Sequence, residues 1–108
     1  YFKIYNILPK VIEQSKKVFV VTNGNIIQQK NKVKNIEWNY LDKDLIFVYA
    51  NEFEKKPSNN CFNYIKKTYS IITDSTIMIG DSLTDKKFSK NSNISFMFIN
   101  EFISKYNI

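Results

Sequence analysis

Three apolar runs limit what this chain can fold into more than any other feature: Val18-Phe19-Val20-Val21-Thr22, Leu45-Ile46-Phe47-Val48-Tyr49-Ala50 and Thr76-Ile77-Met78-Ile79. None alternates polar with apolar residues, so a strand built from any of them has no face to give to water. Strands covered on both faces belong to parallel sheets flanked by helices. Ile94-Ser95-Phe96-Met97-Phe98-Ile99 reads as a fourth strand. Helical patterns separate the runs. Leu8, Val11 and Ile12 repeat at helical spacing before the first run, and Ile26, Lys30 and Val33 line one stripe after it. Ser58 is placed to cap a helix whose Cys61, Phe62, Ile65 and Tyr69 share a face. Asp85 to Lys90 makes a short helix, and Asn100 caps a last one with Phe102, Ile103 and Tyr106 inward. The alternation predicts an α/β fold with a doubly wound parallel sheet, whose chemistry gathers at the carboxyl ends of the strands.

Composition narrows the partners. A chain of 108 residues is one small domain, and 44% apolar with 16% aromatic residues is a folding composition. The net charge of +6 comes from sixteen lysines and no arginine. Arginine supplies the planar fork that grips bases and phosphates, so no specific nucleic-acid partner is expected, whereas small anions are attracted. The lone Cys61 forms no intrachain disulfide, which fits a reducing compartment and predicts a cytoplasmic protein. One cysteine and no histidine rule out a Cys/His zinc site. No apolar run approaches the roughly 20 residues that cross a bilayer, so no membrane association is expected.

Polar residues follow the strands consistently. The first run ends in Thr22-Asn23-Gly24, the second leads to Lys55-Lys56-Pro57, and the third ends in Gly80-Asp81-Ser82 with Asp85 beyond. Each has a structural reading: Asn-Gly as a turn, Lys-Pro as a solvated loop, and Gly-Asp-Ser as a helix start with an acid favoured by the helix dipole.

In this order they resemble three of the four motifs of the haloacid dehalogenase-like (HAD) hydrolase superfamily. "VFVVTNG" looks like motif II, "KKPSNNCF" like motif III and "IMIGDSLTD" like motif IV, the last being the most specific. The resemblance implies a three-layer α/β/α Rossmann-like core and a Mg²⁺-dependent phosphatase acting on a small phosphorylated metabolite. It implies that Thr22 binds a phosphoryl oxygen through its hydroxyl and N–H, with the Asn23 N–H nearby. Lys56 neutralises nucleophile and phosphate, with Lys55 as its competitor. Asp81 is a metal ligand, and Asp85 holds the metal's waters or orients the lysine. Ser82 and Thr84 read as helix-start residues. Signalling receiver domains use similar residues, but there the acids come first and Lys-Pro last, the reverse of this chain.

The superfamily's first motif, an apolar strand ending in Asp-x-Asp, has no counterpart here. No aspartate precedes Val18, and Asp42-Lys43-Asp44 comes before a strand instead of after one. The chain therefore reads as a partial core over residues 1–108, lacking its central strand, with residues 1–7 as the end of a lost cap or linker. The stretch from Thr22 to Lys56 leaves room for one helix and one strand, so no cap lies there. Two apolar strand edges should then face a gap, unless the first and third strands pair directly. An inactive binding or structural module with the same fold is the alternative function.

Overall fold

The computed structural model describes residues 2–108. Helix α1 (Phe2–Gln14) precedes β1 (Val18–Thr22), which is followed by α2 (Ile26–Lys34). Strand β2 (Leu45–Tyr49) leads to α3 (Asn60–Tyr69), β3 (Ile77–Gly80) to α4 (Leu83–Asn91), and β4 (Ser95–Phe98) to α5 (Ile99–Tyr106). Every expected strand is present to within a residue of its apolar run. Residues 2–7 form the first half of α1, and Ile7 enters the core; Tyr1 lies outside the described residues.

The four strands form two parallel pairs. Val18 lies opposite Leu45 and Thr22 opposite Tyr49, while Ile77 lies opposite Ser95 and Gly80 opposite Phe98. Strands β1 and β3 do not pair, and a groove of about 900 Å³ runs between them. Of the two outcomes for the inner edges, facing a gap or pairing directly, the structure adopts the gap.

Alternation along each strand divides its side chains between two helical layers. Val18 and Val20 pack with Leu8 of α1, whereas Phe19 and Val21 face Phe62 and Ile65 of α3. Ile79 joins Ile99 and Phe102 of α5, and Met78 packs in the layer that holds Phe88 of α4. Helix α1 spans both halves, since Leu8 sits in the β1–β2 cluster and Ile7 in the α5 cluster. The result is a three-layer α/β/α arrangement of parallel strands.

Two capping expectations shift. Ser58 is not the N-cap of α3; Asn59 holds that position, and the Ser58 hydroxyl accepts from the Asn60 N–H at 3.2 Å. Asn100 lies inside α5, which starts at Ile99 directly from β4 without a side-chain cap. At the end of α4, Asn93 takes the left-handed conformation at φ 57°, and the Ile94 N–H reaches back to the Ser89 carbonyl at 3.0 Å. This closes the helix as a glycine would and delivers β4 in register.

Candidate active site

All strands run the same way, and the residues singled out in the sequence meet at the C-terminal end of the groove. Thr22 and Asn23 leave β1, Asp81 leaves β3, and Lys56 and Asp85 complete the lining there. Asp42 and Asp44 occupy an exposed 3-10 turn before β2, at the opposite end of the sheet. They take no part in this cluster.

Lys56 is the hub. Its ammonium donates to Asp85 Oδ1 at 2.7 Å and to the Val21 carbonyl at 3.2 Å, tying the end of β1 to the start of α4. Both side chains of the ion pair are about 10% exposed. The backbone of Lys56 is held just as closely: its N–H donates to Asn23 Oδ1 at 2.8 Å and its carbonyl accepts from Asn23 Nδ2 at 3.1 Å. Lys55, the other lysine weighed for this place, is exposed. The peptide bond from Lys56 to Pro57 is cis.

Asp85 is fixed by its own helix start. Ser82 caps α4, its hydroxyl accepting from the Asp85 N–H at 3.2 Å. Ser82 is thus a helix-start residue, as its position in the sequence suggested. The Asp85 carboxylate then folds back over Gly80. A Cβ on Gly80 would come within 2.6 Å of Asp85 Oδ2 and 2.7 Å of its Cβ, so the strand end must carry glycine for the ion pair to form. Gly24 also needs to be glycine, for another reason: its φ is 121°, which other residues rarely adopt. Its N–H donates to Asn51 Oδ1 at 3.1 Å.

Two polar groups are left over. Thr22 Oγ1 is buried and has no hydrogen-bond partner. Buried hydroxyls are usually paired, and Ser92 Oγ is the other buried side-chain oxygen without a partner among the described residues; of the two, only Thr22 Oγ1 lines the groove. Asp81 is exposed at the same mouth and engages in none of the ion pairs found among the described residues. Beneath the site, burial pushes the Cys61 thiol above its ordinary range despite the opposing pull of the Lys56 charge. It is a core residue, not a nucleophile.

Sequence reasoning missed the asparagines. Asn23 was expected to act through its N–H, whereas its side chain is the clamp on Lys56. Asn91 Nδ2 donates to the Pro57 carbonyl and Asn59 Nδ2 to the Asn91 carbonyl, both at 2.9 Å, pinning the Lys-Pro loop to α4. The only hint in the sequence is that Asn23, Asn59 and Asn91 flank the motifs.

Comparison with known proteins bears on the fold and the family. No curated protein matches the sequence significantly. A crystal structure of a protein assigned as a phosphoglycolate phosphatase, from Lactobacillus delbrueckii subsp. bulgaricus, superposes with a TM-score of 0.68 at 18% identity. It matches over 89% of this chain and 39% of its own. The HAD-hydrolase YfnB from Bacillus subtilis, in a form bound to magnesium, gives 0.69 at 19% identity over 100% of this chain and 56% of its own. The chain thus spans roughly two-fifths to just over half the length of these two proteins. The sequence itself carries the assignment further than the fold does: the profile described as haloacid dehalogenase-like hydrolase matches residues 1–99, and the chain belongs to that family.

Proposed function

We propose that this chain is the phosphate-handling part of a Mg²⁺-dependent phosphatase acting on a small phosphorylated metabolite. On this reading the nucleophilic aspartate is not among these residues, because none precedes β1 and Asp42 and Asp44 lie at the opposite end of the sheet. The observation that carries the reading is the convergence of a buried lysine, an orphaned buried hydroxyl and a free carboxylate on one groove mouth.

Each residue has work that its environment suits. Thr22 Oγ1 has a donor to give and no acceptor to give it to, so a phosphoryl oxygen completes its bonding. Lys56 supplies positive charge in a site where burial strengthens it, and Asp85 with the Val21 carbonyl fixes the direction of its N–H bonds. In the reaction, an aspartate oxygen attacks phosphorus and the bond to the substrate oxygen breaks. That oxygen takes a proton, and water later cleaves the aspartyl-phosphate to release inorganic phosphate.

The residues present fit a magnesium ion. Mg²⁺ is commonly held by one or two carboxylates, with waters and phosphate oxygens filling the remaining positions. Asp81 provides one free carboxylate, and Asp85 retains Oδ2 when Oδ1 is committed to Lys56. When bound, the ion supplies charge neutralisation between the phosphate and its attacking carboxylate.

The lysine-only basicity supports a small anion over nucleic acid, and a reducing cytoplasmic setting suits the lone cysteine. No helix among the described residues is long and apolar enough to cross a membrane.

The test is an assay of the full-length gene product against a panel of phosphomonoesters, with Mg²⁺ and with chelator. Phosphate release that needs the metal and collapses in Lys56→Met supports the reading. No turnover anywhere on the panel overturns it. The alternative, an inactive module of the same fold, then stands, favoured by the lack of any third acidic side chain at this mouth among the described residues.

A further inference from the structure

Three consecutive residues at the end of β1 hold three different parts of the site. The Val21 carbonyl accepts from Lys56 Nζ at 3.2 Å, Thr22 offers the buried, unpaired hydroxyl, and the Asn23 side chain binds the backbone of Lys56. Lys56 is thus tied at both ends, ammonium and main chain, to the two residues that flank Thr22. Asn23 and Lys56 are 33 positions apart, so this contact belongs to the tertiary fold and to no local turn.

The Asn23 amide spends both of its polar ends on one residue. Oδ1 accepts from the Lys56 N–H at 2.8 Å, and Nδ2 donates to the Lys56 carbonyl at 3.1 Å. Two such bonds fix the orientation of the lysine backbone as well as its distance from β1, which a single bond does not. On the other side of Asn23, the Gly24 N–H donates to Asn51 Oδ1 at 3.1 Å, so the clamp itself is steadied. The next anchor along the loop, Asn91 Nδ2 on the Pro57 carbonyl, lies exposed and does not touch Lys56.

A main-chain anchor matters because the lysine side chain is long. Several rotatable bonds separate its Cα from Nζ, and a shift of the loop either drags the ammonium or breaks its bonds to Asp85 and Val21. The ammonium and the Thr22 hydroxyl must meet the same phosphoryl group, and misplacing a catalytic group by about 1 Å can cost about 10²-fold in rate.

We propose that Asn23 is a positioning residue for phosphoryl transfer. Its side chain acts through the Lys56 backbone, holding the ammonium at a fixed place beside the Thr22 hydroxyl, and does not itself meet the substrate. The inference rests on the hydrolytic reading above, in which Lys56 and Thr22 bind phosphate.

The experiment uses the full-length gene product carrying Asn23→Ala, with Asn23→Leu as the variant that keeps the bulk and loses both bonds. In either variant kcat should fall about tenfold or more. KM should change by less than about threefold, because Thr22 and the carboxylates that suit a metal are untouched. Unchanged kcat overturns the proposal. So does a loss confined to KM, which would make Asn23 a direct substrate contact.

A second readout needs no turnover. Asp85→Ala strands the Lys56 charge while the lysine backbone is clamped, and the urea midpoint should drop sharply. Without the clamp the ammonium can swing to water, so the drop caused by Asp85→Ala should shrink to about half or less in the Asn23→Ala background. An equal drop in both backgrounds would make Asn23 a loop anchor alone and overturns the proposal. If the parent protein hydrolyses nothing on the phosphomonoester panel, the hydrolytic reading fails, and the Asp85 comparison still decides whether Asn23 positions Lys56.

Discussion

The Lys56 ammonium lies 2.7 Å from Asp85 Oδ1, and both side chains are about nine-tenths buried. Removing one partner from such a pair strands a charge away from water, which costs about 3–5 kcal/mol, whereas apolar replacement of both is often neutral. Asp85→Ala and Lys56→Ala should each lower the urea midpoint sharply. Lys56→Met combined with Asp85→Leu should recover most of the loss. Additive destabilisation in the double variant would mean that the two charges do not depend on each other.

Gly80 is where that ion pair meets the strand. A methyl at this position would press on Asp85 Oδ2 and Cβ, and Asp85 cannot swing away without leaving Lys56. Gly80→Ala should cost about 1–3 kcal/mol in chemical unfolding, the usual range for overpacking. Coupling with Asp85→Ala checks the cause: the glycine substitution should be much milder once the carboxylate is gone.

Cys61 gives a pH dependence whose sign is fixed. Burial is the main cause raising its thiol above the ordinary value of 9.0, with Lys56 opposing. Below about pH 9 the thiol is protonated in both folded and unfolded chains. As pH rises further the unfolded thiol ionises first, so this contribution to stability is lost until the folded thiol ionises as well. Unfolding free energy should therefore fall more steeply with pH in the parent than in Cys61→Ala when both are followed from pH 8 to 10.5. Parallel curves would contradict this. Thiol reagents should also react slowly with the folded chain at pH 8, because the thiolate is the reactive form.

The first two strands were legible because each is apolar on both faces. Val18–Thr22 and Leu45–Tyr49 stand out as unbroken apolar runs, and a run of that kind admits few alternatives. Thr22, Lys56, Asp81 and Asp85 were legible for a different reason, since their types and order follow the strands. What could not be read was which asparagine does what. Asn23, Asn59 and Asn91 act through side-chain amides across long sequence separations, and nothing local distinguishes them from the many asparagines in loops. The caps at Ser58 and Asn100 were misplaced by one or two positions. The path of the chain into α3 and α5, set by packing of Phe62 and Ile99, decides where each helix begins.

Thr22 offers the sharpest separation of stability from function. Its Oγ1 is buried without a partner, and an unsatisfied buried hydroxyl costs about 1–3 kcal/mol relative to a paired or apolar group. Valine has nearly the same shape and no hydroxyl. In the isolated chain Thr22→Val should therefore be neutral or stabilising, raising the unfolding free energy by up to about 1 kcal/mol. In the full-length gene product the same change should lower phosphate release by at least tenfold under the function proposed here, because the lost hydroxyl is the one that meets the phosphoryl oxygen. Destabilisation by valine would show that Thr22 Oγ1 is bonded in solution. Stabilisation without loss of turnover would remove Thr22 from the phosphate site.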